Sequence, residues 1–298
     1  MQTQQFESPT AKPEDSVVVA DMQELESALE PEEKEAQEEE IASVKPVTTD
    51  TSRIELKTNA INIRQLLKGV TPLSDEAILH ITKDGMTIRR ADESVISMVK
   101  AFIPNREFSR YRVDEEINLG INVEKLDKLI STIFDKKSEL YITEFNSKVC
   151  FEQREQGNHK KLSVPTIDVK DNASKEPTVQ YKVNVEMMAG TFNKAIQDMS
   201  YISAYATMTA TADSLTFLAH GDAGEFNEPY TRNDALTKLY CEGEQTATYN
   251  NEFLRKMLKA IEKKQRVEIQ YSGGDVLKLS YASEGVSYTY YLAPYMET

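Results

Sequence analysis

The sequence has no tryptophan, only two cysteines and only three histidines in 298 residues. Cys150 and Cys241 form no Cys-x-x-Cys pair, which excludes a disulfide framework and a thiolate zinc site and favours a reducing compartment. The apolar run at Val17–Val19 is far too short for a signal peptide or a membrane span. These absences predict a soluble intracellular protein with no membrane partner.

Enzyme motifs are also missing. His80, His159 and His220 lack the spacing of metal ligands, and no Gly-x-x-x-x-Gly-Lys phosphate loop occurs. The neighbouring acids Asp75 and Glu76 are not a spaced catalytic pair. We therefore predict no enzymatic activity, no catalytic residue, no cofactor and no metal site.

The net charge of −14 is concentrated at the N-terminus. Residues 1–50 hold 14 acidic residues against 3 lysines, which leaves 35 acidic and 32 basic residues in the rest of the chain. Because this segment is rich in Glu and poor in large apolar residues, we predict a disordered acidic tail over residues 1–52. The tail is interpreted as a solubilising segment, with partner binding and competition with phosphate as alternative roles.

An apolar pattern at positions p, p+3, p+4 and p+7, typical of one helix face, occurs four times. The four copies begin at Ile63, Leu126, Phe192 and Leu254. The first and third starts lie 129 residues apart and the second and fourth 128 apart, which indicates a duplicated domain. We predict similar domains at 53–169 and 179–298, joined by a connector at 170–178.

Each predicted domain combines two short helices with strands of alternating apolar and polar residues. A helix with one apolar stripe needs one sheet to cover it, so the pattern predicts an α+β fold with helices on antiparallel sheets. The last helical stretch, Asn250–Ile261, has the most basic polar side. At positions p+1, p+2 and p+5, the four helices together carry seven basic residues and one acidic residue. We interpret this shared basic side as the functional signal.

Four segments carry a resemblance to a known family. They are Lys83–Asp92 (KDGMTIRRAD), Ser109–Val113 (SRYRV), Leu119–Asn122 (LGIN) with Leu126 and Lys128, and Tyr290–Pro294 (YYLAP). From about Arg53 to the C-terminus, the chain resembles the sliding clamps of archaeal and eukaryotic replication, the proliferating cell nuclear antigen family. The resemblance implies the DNA clamp fold and a homotrimeric ring of six similar domains around duplex DNA, with helices inside and sheets outside.

The resemblance also implies DNA contact by residues on the helices. The matching positions are Arg64, Lys68, Lys128, Lys194 and Lys259, and helix phase adds Arg255 and Lys256. Lys and Arg on helices that cross the backbone contact phosphates without reading bases, as a protein that slides on double-stranded DNA requires. Acidic residues in the second helix predict the weakest contact there. The implied function is that of a processivity factor in DNA replication and repair.

By the same resemblance, DNA polymerase, the clamp loader and other replication enzymes dock short peptide motifs in a pocket under the connector. The pocket positions are Ala91, Pro177, Val276, Tyr291, Ala293 and Pro294. Three features depart from the family: Lys175 and Glu176 replace apolar connector residues, Ala91 is small, and Pro229 interrupts the strand at Gly224–Thr231 that would contact the next subunit.

Two other assemblies are consistent with these patterns. The chain could be one subunit of a hetero-oligomeric ring, such as a heterotrimer or a checkpoint-type clamp, or it could be an interaction scaffold that never encircles DNA. The mass of the purified chain in solution distinguishes a homotrimer from a subunit that assembles only with other chains. The expected location is cytoplasmic for an archaeal or viral source and nuclear for a eukaryotic one.

Overall fold

The computed structural model describes residues 52–155, 157–172, 175–232 and 234–296, which lie in one compact unit spanning Thr51–Thr298. The predicted disorder of the acidic tail concerns residues that lie, except for the buried Ser52, outside this described part. Within the described residues, no helix is long and apolar enough to cross a membrane.

Four α-helices occur in the described residues: α1 Ala60–Val70, α2 Val123–Ile133, α3 Ala189–Ser200 and α4 Asn251–Met257. A 3₁₀ turn covers Asn105–Glu107. Asn122 and Asn250 cap α2 and α4, because their side-chain oxygens accept hydrogen bonds from backbone N–H groups in the first turn. Each of the four periodic segments thus contains an α-helix.

The fourth helix is shorter than its pattern predicts. It ends at Met257 instead of Ile261, and turns follow. The Tyr281 hydroxyl donates to the carbonyl oxygen of Met257 at 2.8 Å, so this oxygen already has a partner where a continuing helix would need it.

Among the described residues, the N-terminal half contains nine strands. They are β1 Ile54–Asn59, β2 Glu76–Ile81, β3 Gly85–Ala91, β4 Ser97–Pro104, β5 Arg110–Val113, β6 Ile117–Asn122, β7 Glu139–Phe145, β8 Lys148–Glu155 and β9 Asn158–Pro165. Buried residues alternate with more exposed ones along β1, β2, β6 and β7, as expected for strands with one face on a core.

The C-terminal half repeats this set. Its strands are β10 Val183–Met188, β11 Tyr205–Ala210, β12 Ser214–Gly221, β13 Gly224–Thr231, β14 Leu236–Cys241, β15 Gln245–Asn250, β16 Arg266–Tyr271, β17 Leu277–Ser283 and β18 Val286–Leu292. Strand pairing is antiparallel throughout the described sheets, so the predicted α+β architecture with two similar halves is confirmed.

The sheet order is duplicated. The order β5-β1-β7-β8-β9 recurs as β14-β10-β16-β17-β18, and β6-β2-β3-β4 recurs as β15-β11-β12-β13. Strands β18 and β4 pair with each other, which joins the two halves through one nine-stranded sheet. Their counterparts, β9 and β13, each lie at the edge of a sheet within the described residues.

Three buried tyrosines fix helices of both halves on one face of the nine-stranded sheet. Tyr288 and Tyr290 on β18 donate hydrogen bonds to carbonyl oxygens of α1 at 2.7 and 2.9 Å. Tyr281 on β17 binds the end of α4, and its ring lies 4.9 Å from the Tyr288 ring and 5.7 Å from the Tyr290 ring. Because these rings touch each other, α1 and α4 must lie on the same side of the sheet.

Candidate nucleic-acid interface and partner cleft

The predicted DNA-facing residues lie on all four helices, and α1 packs against α2 as α3 packs against α4. Lys68, Lys128, Lys194, Arg255 and Lys259 are exposed. Arg64 and Lys256 are half-buried, and Lys259 lies in the turn after α4 because that helix is short. The structure thus leaves all seven basic side chains at least partly accessible.

Two of the seven cations are paired within their own helix. Lys194 contacts Asp198, and Lys256 Nζ lies 2.7 Å from a carboxylate oxygen of Glu252. Lys128, Arg255 and Lys259 form no ion pair in the described part of the chain. Sequence reasoning missed this difference, although the i,i+4 spacing of both pairs signals it. The unpaired cations are the more available to phosphate.

A cleft between α1 and α2 gathers further charges. Arg64, Lys68 and Lys136 line it together with Asp127. Burial raises the pKa of Asp127, and the nearby charges of Arg64 and Lys68 lower it by less, so the pKa stays above its ordinary value. Lys136 lies in the loop after α2, outside the helical pattern, so periodicity could not identify it.

Two positions on these helices differ from their helical phase. Helical phase places Gln65, at position p+2, on the polar side of α1, but Gln65 is buried because α2 and the loop that follows it pack across α1. Helical phase places Leu129, at position p+3, on the apolar side of α2, yet 38% of it is exposed. Helical phase gives a direction, but the neighbouring elements decide what covers it.

The predicted partner residues gather around one cleft of about 110 Å³. Ala91, Pro177, Val276, Tyr291 and Ala293 line it. Pro294 is not among its lining residues. Ala91, Met98 and Tyr291 are buried against one another, and Val276 packs on them. The cleft is therefore mostly apolar, with Lys175 as the charged side chain in its lining.

Glu176 fixes the segment between β9 and β10 against the sheet beside this cleft. One carboxylate oxygen accepts a hydrogen bond from Lys100 Nζ at 2.5 Å, and the other accepts one from the Tyr291 hydroxyl at 3.1 Å. Burial raises the pKa of Glu176, but the bonds from Lys100 and Tyr291 outweigh it and leave the pKa below its ordinary range. Glu176 stands where the resembled family has an apolar connector residue, and its charge is stabilised here by Lys100 and Tyr291.

A turn at the mouth of the cleft was missed by sequence reasoning. Val95 and Ile96 line the cleft and are exposed, Val95 by 58%. Val95 has a φ of 56°, a left-handed conformation that is strained for a β-branched residue. Asp92 stabilises the turn by accepting hydrogen bonds from the backbone N–H groups of Ser94 and Ser97. Only the backbone conformation reveals this strain, so no pattern in the sequence predicts it.

The edge strand β13 forms despite its proline. It pairs with β12 along its whole length from Gly224 to Thr231, with Pro229 opposite Thr216. A proline is tolerated there because an edge strand has only one neighbour to satisfy.

Comparisons with known proteins agree with this architecture. The sequence model of the family described as Repair protein Rad1/Rec1/Rad17 matches residues 55–282. The chain belongs to the Rad1/Rec1/Rad17 family. The match covers both halves of the fold, including all four helices and strands β2 to β16 in full.

Curated relatives of this Rad1/Rec1/Rad17 family member include archaeal DNA polymerase sliding clamps. The protein of Thermococcus gammatolerans is 28% identical over 236 residues, covering 78% of this chain and 94% of the relative. The protein of Cenarchaeum symbiosum is 26% identical over 201 residues, covering 67% of this chain and 80% of the relative. The chain is thus similar to clamps along most of their length.

Solved structures show the same fold. The structure titled "C-terminal region of FEN-1 bound to A. fulgidus PCNA" matches with a TM-score of 0.75 and 20% identity, covering 82% of this chain and 99% of the other. PCNA from Entamoeba histolytica matches with a TM-score of 0.75 and 19% identity, covering 82% and 100%. The predicted DNA clamp fold is confirmed, and membership in a family of clamp proteins supports the prediction that the chain is not an enzyme.

Proposed function

We propose that this protein is a DNA sliding clamp, a ring that encircles duplex DNA and tethers DNA polymerase and other replication and repair enzymes. The observation that carries this proposal is the duplicated topology. Within one chain the β18–β4 junction joins two halves, and the equivalent strands β9 and β13 are left at sheet edges. Head-to-tail pairing of these edges between copies gives a ring when the rotation closes, and we propose a homotrimer.

The helices supply the inner surface of this ring. Tyrosines hold α1 and α4 on one face of the shared sheet, and the exposed cations of all four helices make that face basic. Phosphate contacts of this kind are independent of base sequence and permit sliding. The chain after residue 50 holds slightly more acidic than basic residues, 35 against 32, and yet its helices present a basic surface.

The direct test combines mass and DNA retention. The purified chain should form one species of three times 33.8 kDa in light scattering. Loaded on nicked circular DNA by a clamp loader, it should stay bound, and linearising the DNA should release it. A trimer that leaves circular and linear DNA equally fast would contradict encirclement.

A hetero-oligomeric ring is the second candidate. The family description, Repair protein Rad1/Rec1/Rad17, favours it, because it names repair proteins and not DNA polymerase sliding clamps. The relatives described as DNA polymerase sliding clamps are no more than 28% identical to this chain in the cases compared above. A chain that remains monomeric alone and assembles only with other clamp subunits would establish this alternative. In both cases we propose that the protein acts on DNA inside the cell.

We further propose that the apolar cleft near Tyr291 receives one apolar anchor side chain of a partner peptide. The cleft has the position of a recognition site between sheet and connector, and the similar clamp from A. fulgidus was solved with a peptide region of FEN-1. The volume of about 110 Å³ is smaller than the ~150 Å³ cavity that holds a benzene ring in an engineered protein. The cleft therefore suits a single apolar side chain.

Replacing Val276 with Glu should weaken binding of a fluorescent FEN-1 C-terminal peptide at least about tenfold, because a charge in an apolar contact must lose its hydration. Fluorescence anisotropy measures the affinity. Phe145→Glu is the matched control, since Phe145 is an exposed apolar residue in the β7 strand outside the cleft. Equal affinities for both variants would remove the cleft from the proposed function.

A further inference from the structure

The internal repeat identifies which residues of free edge β9 correspond to joined strand β18. We start from the third residue of β1 and of β10, which are equivalent in the repeat, and step from each residue to the one paired with it on the next strand until the last strand is reached. The two rows are Leu56, Ile142, Phe151 and Leu162 in the first half and Val185, Ile269, Leu279 and Tyr290 in the second. Leu162 thus corresponds to Tyr290, and Lys160, two residues earlier, corresponds to Tyr288.

The same procedure aligns free edge β13 with joined strand β4. Starting from the third residue of β6 and of β15, the rows are Leu119, Leu79, Ile88 and Ala101 in the first half and Ala247, Met208, Phe217 and Glu228 in the second. Glu228 corresponds to Ala101, and Ala101 is paired with Tyr288 in the joined sheet. The repeat therefore places Lys160 opposite Glu228.

We propose that β9 binds β13 of a second copy of this chain in the register of the β18–β4 junction, and that an ion pair between Lys160 and Glu228 selects this partner. The inference rests on the proposed ring and adds the register and the residues that recognise the second copy. A buried tyrosine and alanine occupy this place inside the chain. Between copies, a complementary charged pair takes their place.

The free chain has a carboxylate prepared for such a partner. Glu228 Oε2 is buried and has no hydrogen-bond partner in the described part of the chain, although the Tyr230 hydroxyl and the Lys194 ammonium lie near enough to Glu228 for its charge to raise their pKa values. A carboxylate oxygen without a partner is costly when buried, and a cation directly opposite removes that cost. On the other edge, Lys160 Nζ donates one hydrogen bond among the described residues, to the carbonyl oxygen of Ile133 at 3.0 Å, so it keeps donors available.

Apolar residues flank the proposed ion pair. Leu162 and Phe226 are only partly buried in the free chain and pack on the core from the two edges. The repeat places them opposite each other, where Tyr290 and Val99 pair within the chain. Pairing the edges would cover both side chains and exclude water from the Lys160–Glu228 contact, which strengthens it.

The test exchanges the two charges. Lys160→Glu and Glu228→Lys should each raise the dissociation constant of the assembly on the order of 10- to 100-fold, because each variant opposes like charges at the joint. The double variant, with both changes, should return to within about threefold of the unmodified protein. Sedimentation velocity over a dilution series measures assembly, and thermal unfolding verifies that the dissociated variants remain folded.

Lys83→Glu is the matched control, because it changes the charge equally in the turn between β2 and β3, on neither edge strand. Single variants that assemble like this control, or a double variant that assembles no better than the singles, would overturn the ion pair. An unmodified chain that stays monomeric would overturn the second copy as the partner. If the exchange succeeds but the assembled protein is not retained on circular DNA, the proposed clamp function fails and the interface stands.

Discussion

Changing Lys68, Arg255 and Lys259 together to Glu should reduce retention on nicked circular DNA on the order of 100-fold at physiological salt, with trimer mass unchanged. These exposed residues lie on α1, on α4 and in the turn after α4, and none forms an ion pair in the described part of the chain. Each lost phosphate contact should also lower the slope of log affinity against log salt by about 1. Retention is measured as the fraction of labelled protein that elutes with the DNA circle.

The matched control changes Lys83, Lys148 and Lys182 to Glu. These lysines are exposed and lie outside the four helices, so the variant has the same net charge with an unmodified helical face. It should lose little retention, because charges beyond about 10 Å are screened at 0.1 M salt. If both triple variants lose retention equally, general charge explains binding and the helical interface is wrong. A third variant, Lys194→Glu with Lys256→Glu, should have a smaller effect, since both lysines already contact carboxylates.

Gly69→Ala should destabilise the protein by about 3 kcal/mol, the upper end of the usual cost of overpacking a core. A methyl group on Gly69 would lie 2.2 Å from Cε1 of Tyr288, inside the contact that holds α1 on β18. In an open helix the same change would stabilise by up to about 1 kcal/mol, so sequence propensity predicts the opposite sign. Thermal unfolding should show a loss of about 6–12 °C for a domain of this size.

The control for this prediction is Gly69→Ala in a Tyr288→Ala background, where the tyrosine ring is absent. Tyr288→Ala alone should cost about 3–5 kcal/mol, as large-to-small changes of buried aromatic residues do. In that background Gly69→Ala should cost about 1 kcal/mol or less, because the methyl group enters the space left by the ring and its next contact is the Tyr290 hydroxyl oxygen, at 3.1 Å. A wild-type background that is stabilised by Gly69→Ala would show that Tyr288 does not restrict α1.

Periodicity located the helices well because each helix covers one sheet with one apolar stripe. Ile63, Leu126, Phe192 and Leu254 are all buried, and their spacing predicted the duplicated architecture. The ends of the elements were harder to predict from the sequence. Helix α4 ends at Met257, whose carbonyl oxygen accepts a hydrogen bond from the hydroxyl of Tyr281, 24 residues farther along the chain. Five of the six residues that the resemblance implies for partner binding line the cleft. Two of the segments that carry the resemblance, KDGMTIRRAD and YYLAP, include residues of strands β3 and β18 beside it. Their role as a peptide site remains a prediction.

The sequence alone determined the repeat, the number of helices and the basic character of their polar sides. The helices and their charge are local features, because helical phase and charge are fixed within about ten residues, and the repeat is found by comparing these local patterns along the chain. The tertiary structure decided which cations are free, that Glu176 binds Lys100 and Tyr291, and that β9 and β13 remain at the edges after β18 has paired with β4. Those outcomes depend on contacts between distant segments, where a partner rather than the residue itself sets exposure and charge.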